Sequence, residues 1–190
     1  MVRFLYQSIK KMLKKIVLIC LAAALLLGGM YLFAPSPKAN EKPPEYCAFC
    51  DPGVLNAQTF YEDELVLALY THKPIFPGHC LVIPKRHVER FEMLTDEESA
   101  RIAEVIKKVH VAAMQVFGTS PYLLLQKNGY EVGQTVFHVH FHYIPRKSED
   151  DSTLKFLVKM FTATAKKPIK PSQMQSIVQE MRHAMEYEIN

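Results

Sequence analysis

The chain has 190 residues, four cysteines and a formal net charge of +4. That length allows one ordinary domain with its own hydrophobic core. Arg3, Lys10, Lys11, Lys14 and Lys15 cluster at the N-terminus, so the mild basicity does not argue for nucleic acid, and no Arg/Lys stripe with interleaved aromatics appears elsewhere.

Residues 16–34 carry no charge. They match the roughly 20 residues a helix needs to cross a bilayer. Residues 1–15 form the basic segment before this run, so positive-inside logic puts that end in the cytoplasm and the remainder on the outer face, periplasmic or extracellular. A cleaved signal peptide is the competing reading. Its apolar core is usually shorter, and no small-x-small cleavage pattern follows here. Residues 35–45 read as a Pro-rich linker.

Cys47 and Cys50 form a C-x-x-C pair, a common half of a zinc site. A redox role would need a βαβ context, which does not follow. Residues 59–70 and 79–84 read as strands. Thr95 with Glu98 forms a capping box that opens a helix. Ile102, Val105, Ile106, Val109, Ala113 and Val116 make its apolar face, and Gly118 stops it. Residues 122–126 and 136–144 read as strands joined by a glycine-rich loop. Helices are expected near 154–161 and over 172–187, the latter with an apolar stripe at Met174, Ile177, Val178, Met181 and Met185. Antiparallel strands with one long helix predict an α+β domain.

The loop from Asn128 to Thr135 contains Gly129 and Gly133, which admit positive φ or close ligand approach. Free N–H groups and side-chain donors beside imidazoles suit a phosphate. Asn128, Gly133 and Thr135 are therefore candidate phosphate contacts. His138, His140 and His142 alternate after this loop. On a strand, residues two apart share a face, so all three imidazoles are expected on one surface, opposite Phe137, Val139, Phe141 and Tyr143. The outer two Cα atoms would stand roughly 13 Å apart. One metal ion does not easily collect all three, which points to divided roles.

The run Gly133-Gln134-Thr135-Val136-Phe137-His138-Val139-His140-Phe141-His142 closely resembles the histidine triad (HIT) family of nucleotide hydrolases and transferases. Lys73-Pro74, Pro77-Gly78-His79 and Pro84-Lys85-Arg86-His87 match upstream, as does Cys47-Ala48-Phe49-Cys50. The similarity covers residues 46–147, leaving 148–190 as a helical C-terminal extension. The upstream match looks most like the fragile-histidine-triad dinucleoside polyphosphate hydrolases, and the cysteine pair most like zinc-containing bacterial members. The resemblance implies a HIT-like antiparallel sheet with one long helix, here preceded by a single transmembrane helix. It also implies a homodimer sharing a sheet.

For function, the resemblance implies a nucleotide hydrolase acting through a nucleotidyl-histidine intermediate. His140 would attack the α-phosphorus, His142 and Gln134 would serve the phosphates and leaving group, and Thr135 would hold non-bridging oxygens. His87 and His138 would join Cys47 and Cys50 around a structural zinc. Phosphoramidate hydrolysis, nucleotidyl transfer and a non-catalytic zinc- or nucleotide-binding module at the membrane are the alternatives. Two positions depart from the family pattern. Thr71 stands where many relatives hold the ribose with an acid or amide, and Lys127 stands where many carry Asn or Gln. The first predicts weaker ribose discrimination, and the second a preference for phosphate-rich substrates.

Overall fold

The computed structural model describes residues 2–32, 46–146 and 153–186, and the described residues divide into two units on either side of Asn40. The first unit contains one helix, α1 (Val2–Leu32). Its stretch Ile9–Gly29 is long and apolar enough to cross a membrane by length and composition, with mean hydropathy 2.1. The helix begins well before the expected span because lysine is a good helix former and does not interrupt it. The linker expected at 35–45 lies outside the described residues.

The second unit opens with a turn of 3-10 helix at Ala48–Cys50, then α2 (Pro52–Gln58). Asp51 caps α2 by accepting from the Val54 N–H at 3.0 Å, and Pro52 occupies the first helical turn. This helix was not anticipated, although Asp followed by Pro is its start signal. The strands are β1 (Thr59–Glu62), β2 (Val66–Tyr70), β3 (Cys80–Pro84), β4 (Tyr122–Gln126) and β5 (Phe141–Pro145). They form an antiparallel sheet of order β1-β2-β3-β5-β4. Residues 59–70 are a hairpin rather than one strand. Asp63 Oδ1 accepts from the N–H groups of Leu65 and Val66 at 2.9 and 2.8 Å, and that side-chain turn reverses the chain.

The long helix α3 (Asp96–Phe117) starts and stops as expected. Thr95 Oγ1 accepts from Glu98 N–H, and Glu98 Oε2 accepts from Thr95 N–H. Arg86 grips the same buried carboxylate through two donors at 2.9 and 2.8 Å, which lowers the Glu98 pKa. Gly118 ends the helix in the left-handed conformation at φ +64°. Two helices follow, α4 (Thr153–Thr162) and α5 (Pro171–Glu186).

Alternation in the strands sorts the core into two layers. Val66, Ala68 and Tyr70 of β2, with Val82 and Tyr143, meet Ile102, Val105 and Val109 of α3. Met174, Val178, Met181 and Met185 of α5 close this layer, so the expected stripe is packing. Each such apolar side chain contributes about 1.5–3 kcal/mol on burial. Leu67, Leu69, Leu81 and Ile83 point to the other face, where Phe49 covers them. That second face carries the candidate site.

Candidate active site

Of the run 136–144 expected as strand, only the part from Phe141 onward pairs in the sheet. The preceding residues bend. The N–H of His138 bonds the Val136 carbonyl at 2.9 Å, and that of Val139 bonds Val88 at 2.6 Å instead of extending the ladder. The three histidines therefore do not share one flat face. His138 turns toward the Cys47–Cys50 turn, whereas His140 and His142 line one cavity. The rings of His140 and His142 lie 4.9 Å apart. Phe49 packs edge-on against His138 at 5.9 Å and His140 at 5.2 Å, wedged between the two environments.

Hydrogen bonds assign the tautomers. His140 Nδ1 lies 2.6 Å from the carbonyl of His138, so Nδ1 carries the proton and Nε2 keeps its lone pair. Burial holds the His140 imidazole below its ordinary pKa, and the Lys127 charge adds to this against the His138 carbonyl. His142 belongs to a second relay. The N–H of Ile75 donates to His79 Nδ1 at 3.2 Å, which leaves the His79 proton on Nε2. His79 Nε2 then donates to His142 Nδ1 at 3.0 Å, so the His142 proton sits on Nε2. Burial pushes the His79 pKa down to about 3 and lowers that of His142 as well. The two neighbouring imidazoles thus hold opposite tautomers, one with a free lone pair and one with a free N–H.

The cavity they line encloses about 430 Å³. Phe49, Val54 and Leu81 form its apolar wall, and Thr71, His72 and Thr135 supply polar groups. Thr135, one of the candidate phosphate contacts, lines this cavity with His140 and His142. The two amide candidates, Gln134 and Asn128, already have partners within the protein. Gln134 is 1% exposed and spends its side chain on the loop, with Oε1 accepting from Gly129 N–H at 2.7 Å and Nε2 donating to the carbonyls of Glu89 and Val136. Asn128 accepts from Phe91 N–H and donates to Glu92 Oε2, pinning the end of β4. Both amides satisfy backbone and carboxylate partners before any ligand arrives. Gly133 supplies the left-handed turn at φ +81° but does not line the cavity. Lys127 Nζ rests against the Gly133 carbonyl at 3.4 Å, close enough for its charge to depress both His140 and His142.

The four expected metal ligands converge. Ligand atoms of Cys47, Cys50, His87 and His138 all lie within 4.8 Å of one another. His138 Nδ1 is 3.6 Å from each sulfur, and His87 Nδ1 is 3.4 Å from Cys50 Sγ. A tetrahedron built from Zn–S near 2.3 Å and Zn–N near 2.05 Å has sulfur–nitrogen edges of about 3.5 Å. His138 Nε2 meets the Pro84 carbonyl at 2.9 Å, the backing bond that metal-bound imidazoles use to fix their tautomer. Both cysteines are free thiols, and burial with the Cys47 sulfur pushes the Cys50 thiol up to about 11. Two sulfurs this close disfavour charge unless a cation lies between them. The donor set and spacing fit a tetrahedral ion.

The HIT domain family matches this chain over residues 53–149, just over half of its length. The chain belongs to the HIT family. The asymmetrical bis(5'-nucleosyl)-tetraphosphatase of Schizosaccharomyces pombe is 42% identical over 98 residues, 52% of this chain and 54% of that protein. The chain thus spans about half the length of that relative. The adenosine 5'-monophosphoramidase of the same yeast is 40% identical over 106 residues, covering 55% of this chain and 77% of its own length. Among solved structures, a zinc-bound histidine triad family protein from Mycobacterium smegmatis superposes with a TM-score of 0.57 at 27% identity. That likeness covers 74% of this chain and 94% of the other.

Within the HIT domain, the sequence reading missed His79 and His72. His79 stands in the upstream Pro77-Gly78-His79 element just before β3, and the pairing of β3 with β5 brings its ring to His142, which spacing alone does not reveal. His72 enters through the cavity wall. Its pKa is lowered, first by burial and then by Lys73.

Proposed function

We propose that this HIT protein hydrolyses dinucleoside polyphosphates through a nucleotidyl-histidine intermediate on His140. The observation that carries the reading is the opposed tautomer pair: a lone pair on His140 Nε2 beside an N–H on His142 Nε2. The lone pair attacks the α-phosphorus and forms a P–N bond. The P–O bond to the rest of the phosphate chain breaks, and the His142 N–H donates a hydrogen bond to the departing oxygen. Water then attacks the same phosphorus, the P–N bond breaks with its electron pair returning to His140 Nε2, and the nucleotide leaves with the water's oxygen and one of its protons, the other passing to solvent. Thr135 at the cavity edge offers a hydroxyl to the non-bridging oxygens, and Phe49, Val54 and Leu81 offer the nucleoside an apolar surface.

The relay also favours one leaving-group class. His142 carries one proton, and its Nδ1 is already occupied by His79. It is built to donate a hydrogen bond rather than to deliver a proton and be recharged. A phosphate chain departs as an anion and needs only that; an amine must be protonated to leave. Lys127 adds positive charge on the same side and favours anionic chains. Polyphosphates therefore rank ahead of phosphoramidates.

The remaining parts support this centre. Zinc on Cys47, Cys50, His87 and His138 would tie the N-terminal turn to His138, whose carbonyl orients His140. In our reading residues 46–147 are the HIT domain and 148–190 an extension of it. Tyr122, Leu123 and Leu124 of the edge strand β4 are exposed apolar residues, the surface expected of a homodimer that continues the sheet. The α1 helix would anchor the chain, with its basic end in the cytoplasm and the domain on the outer face. The hydrolysis reading is tested by incubating wild type and His140→Ala with a panel of diadenosine polyphosphates and adenosine phosphoramidates. His140→Ala should abolish turnover and keep measurable nucleotide binding. Near-normal hydrolysis by that variant would remove the covalent mechanism.

A further inference from the structure

Side chains outside the family match hold the loop that aims His79. This loop, residues 72–77, joins β2 to β3 and carries Pro74 and Pro77. Lys166 Nζ donates to the Ile75 carbonyl at 3.0 Å. The N–H of Ile169 donates to the His72 carbonyl at 2.9 Å. Phe156 of α4 stacks on Phe76, with ring centroids 5.5 Å apart and planes 11° from parallel. Lys159 Nζ sits 4.7 Å from the centre of the same Phe76 ring. Residues 153–170 thus grip the loop at His72, Ile75 and Phe76. Ile75 is also the residue whose N–H fixes His79 Nδ1, and His72 lines the cavity.

We propose that residues 153–170 form a positioning strap for the reaction, with Lys166 holding Ile75 so that His79 keeps its Nε2 proton and His142 keeps its N–H toward the leaving group. This rests on the role of His142 proposed above. Lys166 itself does not line the cavity. It acts through three consecutive contacts: Lys166 to Ile75 at 3.0 Å, Ile75 to His79 at 3.2 Å and His79 to His142 at 3.0 Å. An ammonium donor makes a stronger bond than a neutral one. Without it, Ile75 is free to turn its N–H away from His79, and nothing then decides which His79 nitrogen carries the proton. His142 would present a lone pair to the leaving oxygen for part of the time, and the two would repel.

A positioned hydrogen-bond donor to developing charge is worth about 10²–10³ in rate, so partial loss of its orientation should cost roughly tenfold in kcat. The test uses the full chain with ring-¹⁵N-labelled histidine, reading tautomers from long-range proton–nitrogen correlations, alongside diadenosine tetraphosphate hydrolysis. Lys166→Met should shift the His79 and His142 nitrogens toward mixed tautomers and lower kcat about tenfold with little change in KM. Lys166→Arg should restore both, and Phe156→Leu, which loosens the strap elsewhere, should reproduce both. Lys167→Met, an exposed neighbour, should leave both unchanged. Wild-type nitrogen shifts in Lys166→Met would overturn the strap, as would altered tautomers with unchanged kcat. Should the wild type hydrolyse no nucleotide, the catalytic reading falls by itself, and the nitrogen shifts still report whether Lys166 sets the His79 tautomer.

Discussion

Replacing Gly78 with alanine tests whether the His79 relay needs a backbone that only glycine adopts. Gly78 has φ +88°, and an added Cβ would meet Pro145 Cγ at 2.7 Å and Phe117 Cδ2 at 2.9 Å. Left-handed backbone costs an L-residue about 1–2 kcal/mol. Forcing a methyl into a filled site costs about 1–3 kcal/mol more. Alanine also narrows the unfolded ensemble, which offsets about 0.4–1 kcal/mol. The expected net loss is about 3 kcal/mol. Gly118 is the matched control: its φ is +64°, and nothing lies within 4 Å of its absent Cβ. Gly118→Ala should therefore lose only about 1 kcal/mol. The chain has nine tyrosines and no tryptophan, so urea unfolding is followed by near-ultraviolet circular dichroism. Hydrolysis is measured in parallel, because Gly78 precedes His79 directly. Equal losses in the two variants would refute the steric argument and leave Gly78 an ordinary turn glycine.

The metal cluster predicts about one zinc per chain in protein purified without added metal; Cys50→Ser should lose it and melt lower, and a metal-free, folded and active wild type would contradict this. His79 titrates near 3 when folded and near 6.5 when unfolded, so the unfolded chain binds more protons in acid. Its stabilising contribution is complete above about pH 6.5 and falls as pH drops below it, by about 2 kcal/mol at pH 5; a Tm unchanged between pH 7 and 5 would contradict that. Lys127→Asn should raise the pKa of His140 and His142, moving the acid limb of the kcat/KM profile upward, and should weaken the preference for longer phosphate chains. An unmoved profile with unchanged chain preference would show that Lys127 serves only the Gly133 carbonyl.

The parts of this fold that were legible in the sequence are those with local causes. Thr95, Glu98 and Gly118 announce α3 because capping is written within four residues of each helix end. The hairpin at 59–70 was obscured because its turn, Asp63-Glu64-Leu65, lacks the glycine that usually marks one and relies on Asp63 Oδ1 instead. The bend before β5 was hidden for a different reason. Its hydrogen bonds run to Val88 and Pro84, more than 45 residues away in sequence, so alternation alone reads as strand. Residue types grouped Cys47, Cys50, His87 and His138 because metal donors are few, and their ligand atoms lie within 4.8 Å of one another. The partners of Gln134 and Asn128 were not legible, since an amide serves a loop as readily as a phosphate and nothing local tells which way it points.

The period-two histidine row encodes neither a single face nor a single site. His138 has two ends with different partners: its ring joins the cysteine cluster, and its carbonyl orients His140. Orientation reaches His140 from the N-terminal side of the domain, through the 47–50 turn. It reaches His142 from the other side, through His79, the 72–77 loop and the strap. Among the described residues the two supports share no hydrogen bond, and they meet where the rings of His140 and His142 approach. Each holds one tautomer, and the proposed reaction needs the two tautomers to be opposite. A row of three identical side chains acquires distinct roles here because each imidazole is held by a different partner, and the chemistry follows from which nitrogen that partner occupies.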